Sequence, residues 1–391
     1  MSDIDIEVRK QEVAALLKEN PKISGRKAAA KLGISETSFR RYKKMISEDN
    51  LGVLARLQES KYKRAYDEVK SDRDRLVQAL ETKEAELKQY TVMSDTLTPT
   101  DIPVVATHKR EVVPVIVASD WHIEETVTSA ITNGLNEYNL AIAEDSVKQF
   151  FSKACDMINK TKEHNKVNTV VIALLGDIIN GVLRAEDLES NQTTSVDALT
   201  IARSLIYSGI KALTKAASCN IRVICCVGNH GRLTDKIHFS NQVHQSLEFL
   251  MYKTLERDFR DVKNVTFKVA ECPYVIQSIY NVRVRFHHGH SIKFHGGIGG
   301  IAVPVLRKVA QMNTIEEADL DVIGHFHTSQ MFSKVIVNGS LVGSNGFSMS
   351  LGLPHDIPKQ TYFEIDSKYG LTTVSPICID RKLAKPIVDA I

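Results

Sequence analysis

The pattern of apolar and polar positions changes near residue 100. Before this point, apolar residues recur every three or four positions, which predicts helices. Beyond it, short β-branched runs alternate with amphipathic stretches, which predicts alternating strands and helices. We therefore expect an all-α N-terminal domain, a helical connector and a layered α/β domain, with boundaries at 1–50, 51–92, 93–111 and 112–391.

Residues 6–47 predict three short helices. Pro21 follows the first, Gly33 can end the second in a left-handed conformation, and Ser35 can cap the third. A helix, a glycine-containing turn and a basic helix form a helix-turn-helix pattern, and "AAAKLGISETSFRRY" resembles the helix-turn-helix elements of DNA-binding regulators and recombination proteins. A small helical bundle with a solvated basic face is the alternative.

The charge of this region favours DNA as a partner. Residues 22–44 hold eight Lys or Arg against one acid, a local balance of +7, whereas the whole chain carries only +3. Clustered basic residues on one domain are typical of nucleic-acid binding. The predicted DNA contacts are Arg26, Lys27, Lys31, Arg40, Arg41, Lys43 and Lys44.

A heptad-like pattern spans residues 62–90. Nine seam positions alternate spacings of four and three residues, and seven are apolar or aromatic, whereas Arg73 and Lys83 are charged. This spacing predicts a coiled coil that joins the chain into a homodimer or higher oligomer. The alternative is a single amphipathic helix packed on the protein itself. Residues 93–111 contain Thr, Ser and Pro without a period and are interpreted as a linker.

Composition is that of a soluble globular protein, with 43% hydrophobic and 25% charged residues. No apolar run approaches the length of a membrane span, and the charged N-terminus lacks the apolar core of a signal peptide. The six cysteines show no CxxC spacing, which argues against a zinc ribbon. We expect a cytoplasmic protein.

Potential metal ligands follow five of the predicted strands. A lone His at a strand end is more often a hydrogen-bonded structural residue than a ligand, but active sites of α/β sheets gather at the carboxyl ends of strands, where all five can converge. Carboxylate, imidazole and amide donors without a thiolate suit Mn²⁺, Fe or Zn²⁺, and we expect Mn²⁺. The five groups are Asp120-Trp-His122, Gly176-Asp177 with Asn180, Gly228-Asn229-His230, His287-His288-Gly289-His290 and Gly324-His325-Phe326-His327.

The ordered set DxH, GDxxN, GNH, HGH and GHxH resembles the calcineurin-like metallophosphoesterases over residues 112–345. The resemblance implies a four-layer αββα sandwich that binds two divalent metal ions. His288 rather than His287 takes the fourth position, because it precedes Gly289, and His230 matches the catalytic histidine. By the same resemblance, Asp120, His122 and His327 hold the first metal, Asp177 bridges both, and Asn229, His288 and His325 complete the second.

Two residues near these motifs have weaker assignments. Asn180 is placed to orient the region of Asp177, although it is equally well explained as a turn amide. Arg232 lies two residues from His230 and can contact phosphate, as can Arg184 or Lys236, although each is also explained as a solvated surface charge.

The motifs differ from those of the serine/threonine phosphatases in this superfamily. Those enzymes carry GDxxDRG and GNHE, whereas this chain has "GDIINGV" and "GNHGR" and so lacks the arginine of the second motif. The basic N-terminal domain instead favours a metal-dependent phosphodiesterase acting as a DNA nuclease. This architecture is similar to bacterial or phage repair-type nucleases, which implies DNA repair, recombination or phage DNA metabolism in a bacterial or phage-infected cell.

Two other functions stay open. One is a phosphatase or phosphodiesterase of small nucleotides, and the other is a DNA-binding regulator whose phosphoesterase domain is not catalytic. Residues 328–391 show a short β-rich tail and no obvious capping domain.

Overall fold

A computed structural model describes residues 3–95, 109–183, 185–294, 299–350 and 355–381. The chain divides into two compact units, Met1–Val104 and Val105–Ile391. Much of the predicted linker lies outside the described residues, as does Arg184. None of the described helices is long and apolar enough to cross a membrane.

Residues 3–95 of the first unit form three helices, α1 (Asp3–Glu19), α2 (Gly25–Lys31) and α3 (Glu36–Asp95). Gly33, with a φ of 64°, turns the chain between α2 and α3, and the Ser35 hydroxyl accepts a hydrogen bond from the Ser38 backbone N–H. A small core holds the three helices together, formed by Val13, Leu16, Ala28, Ala29, Phe39 and Tyr42.

The 60-residue helix α3 runs through the predicted boundary at residue 50. The third helix of the helix-turn-helix pattern and the predicted connector are therefore one element, because the sequence between them contains no proline and only Gly52 disfavours a helix. The apolar seam side chains of this helix are exposed, between 62% and 76% for Tyr62, Tyr66, Val69, Leu76, Leu80, Leu87 and Tyr90. Pairing of this seam in a coiled coil stays a prediction.

The described part of the second unit alternates strands and helices and includes a C-terminal hairpin. Its elements in chain order are β1 (Val112–Ala118), α4 (Leu140–His164), β2 (Thr169–Leu174), α5 (Ala185–Ser190), α6 (Ser195–Ala217), β3 (Asn220–Cys225), α7 (Leu247–Asp258), β4 (Val265–Val269), β5 (Tyr274–Ile279), β6 (Val282–His287), α8 (Ala302–Asn313), β7 (Leu320–Ile323), β8 (Gln330–Phe332), β9 (Val335–Val337), α9 (Gly346–Ser350), β10 (Lys359–Asp366) and β11 (Gly370–Cys378).

These strands form two sheets. The first has the order β11-β10-β1-β2-β3-β4, with β1 to β4 parallel and the β10–β11 hairpin added antiparallel beside β1. The second has the order β5-β6-β7-β9-β8, with β6, β7 and β9 parallel. Strands β1 and β2 are buried on both faces, which explains their continuous apolar runs.

Three apolar interfaces stack these elements into layers. Helices α4 and α6 cover the outer face of the first sheet, where Phe150 and Ile206 join the cluster of Ile116 and Ile172. The two sheets pack face to face through residues such as Val115 and Phe286.

The fourth layer is α8. Its side chains Val305 and Val309 pack on Ile323, Val335 and Val337 of the second sheet. The order helix, sheet, sheet, helix confirms the predicted four-layer αββα fold. It also places the carboxyl ends of β1, β2, β3, β6 and β7 at one edge of the sandwich.

Candidate metal centre

Asp120, His122 and His327 form one group of ligand atoms. One ligand atom from each lies within 4.8 Å of the others. The Nε2 atoms of His122 and His327 are 3.1 Å apart, and Oδ1 of Asp120 is 3.5 Å from Nε2 of His327. Two imidazole nitrogens and a carboxylate that face one another at this spacing are a donor set for a divalent transition metal.

Asp177, His288 and His325 form a second group within the same 4.8 Å limit. Oδ2 of Asp177 lies 2.8 Å from Nε2 of His288. Asp177 also groups with His122 and His230, so its carboxylate lies between the two ligand sets. This is the position that a bridging carboxylate requires.

Asn229 supplies an amide oxygen that has no partner. Its Oδ1 is buried and, within the described part of the chain, accepts no hydrogen bond. A buried acceptor left unsatisfied is costly, and a bound cation would satisfy it. His287, by contrast, turns away from this group, with Nε2 3.4 Å from Oδ1 of Asp321.

Five ligand-type residues adopt the left-handed backbone region. Their φ angles lie between 44° and 72°, a conformation that costs on the order of 1 kcal/mol or more for a residue other than glycine. Strain at so many neighbouring positions is typical of a functional site, where the surrounding fold holds side chains in place. The five residues are Asp120, His122, Asp177, His325 and His327.

Glycines allow the ligand loops to approach closely. A Cβ atom at Gly228 would overlap the carboxylate of Asp177, and one at Gly324 would overlap that of Asp120. The glycines in the GNH and GHxH motifs therefore leave space for these two carboxylates, in addition to allowing the chain to turn.

Burial and mutual charge set the protonation of the ligands. Burial lowers the pKa of His327 to about 4 and holds the pKa of His122 and His325 well below the usual value, so these imidazoles are neutral at pH 7. Burial opposes ionisation of Asp177, but His288 and His230 hold its pKa well below the usual range. Burial opposes the charge of His288, but Asp177 raises its pKa to about 9. Since a neutral imidazole is the form that binds metal, a cation would displace a proton from His288.

The seven residues fit two divalent cations. The donor set mixes carboxylates, imidazoles and one amide, and it includes the unsatisfied Oδ1 of Asn229. The residues do not select among Mn²⁺, Fe and Zn²⁺, since all three accept these donors.

The side chain of Asn180 contacts His122. Its Oδ1 lies 2.9 Å from Nδ1 of His122, and its Nδ2 donates to Oδ1 of Asn191 at 2.8 Å. An acceptor at Nδ1 keeps the proton on that nitrogen and leaves Nε2 of His122 available to a metal. The predicted orientation of the Asp177 region by Asn180 stays a prediction.

His230 is fixed beside both groups. Its backbone N–H donates to Oδ1 of Asp177 at 2.7 Å, and its Nδ1 lies 2.7 Å from the carbonyl oxygen of Asn180. A carbonyl can only accept, so Nδ1 carries a proton and Nε2 is the exchangeable position. The ring of His230 lies edge to face with that of His122, with centroids 4.6 Å apart.

Two buried carboxylates that brace the ligand loops were not predicted. Glu248 accepts hydrogen bonds from the backbone N–H groups of Ile178 and Gly228, both at 2.7 Å. Glu124 accepts from the N–H groups of Asn180 and Gly181 at 2.8 and 2.9 Å. Glu124 could have been identified from the sequence, because it closely follows the DxH motif. Nothing in the sequence around Glu248 indicates its hydrogen-bond partners.

The guanidinium of Arg232 binds its own loop. It donates to the carbonyl oxygens of Asn229, Thr234 and Asp235 at 3.0 to 3.1 Å. These bonds hold the loop that carries Asn229. A phosphate contact by Arg232 stays a prediction.

The predicted DNA contacts lie on the surface of the first unit. Arg40 pairs with Glu36 at 2.8 Å and Lys44 lies 3.8 Å from Glu48, so part of the basic charge is balanced within α3. DNA binding by these residues stays a prediction. All seven are exposed, namely Arg26, Lys27, Lys31, Arg40, Arg41, Lys43 and Lys44.

A cavity of about 840 Å³ opens over the ligand groups. Its base includes His122, Asp177, Asn229, His230 and His325. Its size is that of a small-molecule site. Apolar residues line its walls, namely Val127, Ile131, Ile292, Phe294, Ile301 and Phe326.

The fold and the order of the ligand groups agree with the resemblance to the calcineurin-like metallophosphoesterases. No protein-family model matches the sequence, and no curated protein matches it. Solved structures do match at low similarity. An archaeal phosphodiesterase is 12% identical, with 68% of this chain and 99% of that chain covered and a TM-score of 0.30.

Two further solved structures are similar at the same level. A hypothetical protein from Pyrococcus horikoshii OT3 is 16% identical, with 69% of this chain and 90% of that chain covered and a TM-score of 0.34. A predicted phosphoesterase from Streptococcus pneumoniae TIGR4 is 16% identical, with 71% and 97% covered and a TM-score of 0.26. Such similarity assigns no activity, so the function has to be inferred from the chain's own residues.

Proposed function

We propose that this chain is a metal-dependent phosphodiesterase that hydrolyses phosphate esters with two divalent metal ions. The observation that carries the proposal is the position of Asp177, whose carboxylate groups with His288 and His325 and also with His122 and His230. Asp120, His122 and His327 would hold one ion, Asn229, His288 and His325 the other, and Asp177 both. The ions, when bound, polarise the phosphoryl oxygens and acidify a water molecule near neutral pH.

His230 would move the proton to the leaving oxygen. The carbonyl of Asn180 occupies Nδ1, so protonated His230 presents the Nε2 proton to the cavity that its side chain lines. The hydrogen bond from its backbone N–H to Asp177 fixes the ring relative to the ligand carboxylate. His230 would therefore be positioned to donate to an oxygen of a bound ester.

We further propose DNA as the substrate, which makes the protein a nuclease. The support is the basic three-helix unit, with seven exposed Lys and Arg side chains, on the same chain as the ligand groups. Basic side chains provide the sequence-independent part of DNA affinity. A unit of this kind would raise the local concentration of DNA near the ester-hydrolysing domain.

Incubation of the Mn²⁺-loaded protein with labelled single- and double-stranded DNA tests this function. Cleavage by the wild type that is lost in Asp177→Ala would support a metal-dependent nuclease. Replacing Arg26, Lys27, Arg40 and Arg41 by glutamine should then weaken DNA cleavage, without lowering the rate on bis-p-nitrophenyl phosphate. Intact DNA together with hydrolysis of the small ester would contradict the nuclease.

The cavity favours a second candidate, the hydrolysis of small nucleotides. No Lys or Arg is among its described lining residues, so the described part of the wall does not match the repeated phosphates of a DNA backbone. Nucleoside monophosphate esters would fit its volume. If the loaded wild type hydrolysed no ester at all but bound DNA, a non-catalytic DNA-binding regulator would be favoured instead.

A further inference from the structure

The walls of the cavity differ in chemistry from its base. Ile292, Ile301 and the rings of Phe294 and Phe326 belong to or pack against the apolar cluster between the second sheet and α8. Val127 and Ile131 add apolar surface from the segment that follows β1. Aromatic and aliphatic walls of this kind bind flat, uncharged groups, because the contact removes apolar surface from water.

The described lining also includes the carboxyl groups of Glu125, Asp187 and Asp356. Glu125 accepts a hydrogen bond from Asn345, and Asp356 is paired with Lys359 at 2.6 Å. The phosphate of a substrate would therefore lie at the base, where bound cations can neutralise it.

Uncharged polar groups complete the lining. Thr126, Gln330, Ser344 and Asn345 bring hydroxyl and amide groups next to the apolar surface. Such groups can form hydrogen bonds with the edge of a heteroaromatic ring while the walls cover its faces.

We propose that the cavity selects phosphate diesters in which the phosphate joins the leaving group to a retained alcohol that carries an uncharged aromatic ring, such as a nucleoside or an aryl group. This inference rests on the proposed function of the metal centre. In the reaction, a water oxygen forms the new P–O bond, the bond to the leaving oxygen breaks, and a proton passes to that oxygen. The retained ring stays in the apolar part of the cavity throughout.

Two esters with the same leaving group isolate the effect of the retained ring. Bis-p-nitrophenyl phosphate and methyl p-nitrophenyl phosphate both release p-nitrophenol, but they retain an aryl group and a methyl group respectively. We expect the Mn²⁺-loaded wild type to show a kcat/KM at least about tenfold higher for the aryl ester, from the added apolar contact. Equal values for the two esters would overturn the inference while leaving the phosphodiesterase intact.

Two matched variants test whether the retained aryl group contacts the cavity wall at Ile131. Ile131 is 56% exposed and lines the cavity, whereas Ile315 is 83% exposed and is not among the lining residues. Ile131→Asp should lower kcat/KM for the aryl ester about tenfold and for the methyl ester much less, since only the aryl group reaches the wall. Ile315→Asp should leave both unchanged. Equal losses on both esters in Ile131→Asp would contradict an aryl contact at this wall.

A binding measurement provides a readout that does not depend on turnover. Equilibrium dialysis of the Mn²⁺-loaded wild type should show thymidine 5′-phosphate bound at least about tenfold more tightly than methyl phosphate. Equal affinities for these two ligands would overturn the inference, and hydrolysis of neither p-nitrophenyl ester would remove the proposed function and this inference with it.

Discussion

The side-chain oxygen of Asn180 lies 2.9 Å from Nδ1 of His122, across 58 residues of sequence. This contact fixes which nitrogen of His122 faces the ligand group, where its Nε2 lies 3.1 Å from Nε2 of His327. The side chain of Asn180, which the sequence associates with Asp177, thus meets a residue of the other group of ligand atoms.

Asn180→Ala should weaken metal binding without removing a ligand. His122 would lose the acceptor that fixes its tautomer and ring orientation, and we expect Mn²⁺ affinity to fall about 10- to 100-fold by titration calorimetry. Asn180→Asp keeps an oxygen acceptor and should recover part of this loss. Unchanged affinity in Asn180→Ala would show that the turn amide is only structural.

Glu248→Gln should loosen the loops that carry Asp177 and Asn229. The carboxylate accepts hydrogen bonds from two backbone N–H groups. A glutamine at this position can accept only one of them, because its NH₂ group is a donor and would face the other N–H. We expect the free energy of unfolding to fall by about 1–3 kcal/mol, together with a loss of metal affinity. Glu256→Gln, on the same helix but paired with Lys253 at the surface, is the control and should change neither.

Glu125 should make stability depend on pH. Burial raises its pKa from 4.5 to about 7, so between these values the folded state binds a proton that the unfolded state has released. The free energy of unfolding contributed by this group therefore falls as pH rises through that window. Glu125→Gln stays neutral and can still accept the hydrogen bond from Asn345.

The measurement for Glu125 is the melting temperature of both proteins in chelator at pH 5, 6 and 7. The difference in Tm in favour of the variant should grow from pH 5 to pH 7. Exposed Glu163→Gln should show no such trend. A constant difference would mean that the Glu125 carboxyl titrates as in the unfolded chain.

The exposed seam of α3 should join two copies of the chain. Leu76 and Leu80 are 66% and 62% exposed, so replacing both by glutamate removes apolar surface that only a partner could bury. We expect a wild-type dimer by sedimentation equilibrium and a monomer for the double variant. Gln78→Glu adds a charge outside the seam and should leave the dimer intact. A monomeric wild type at tens of micromolar would contradict pairing.

Sequence patterns were enough to predict the candidate ligand residues, their order and the strands that precede them. Apolar runs such as "VVPVIVAS" and "NTVVIALLG" identify β1 and β2 because a strand buried on both faces has no polar alternation. The same pattern also shows which polar residues stand at the carboxyl ends of these strands. The sandwich and its cluster of carboxylates and imidazoles were therefore predictable.

Which side chains meet across the layers depends on the three-dimensional arrangement of the elements. Glu248 accepts a hydrogen bond from the backbone of Ile178, 70 residues away in the sequence. The walls of the cavity combine Ile131 and Phe294, which are also far apart in the sequence. The β10–β11 hairpin, which appeared as a tail, completes the first sheet beside β1. Sequence patterns record local period and burial, whereas these contacts depend on how the packed layers are placed against one another, which no local pattern encodes.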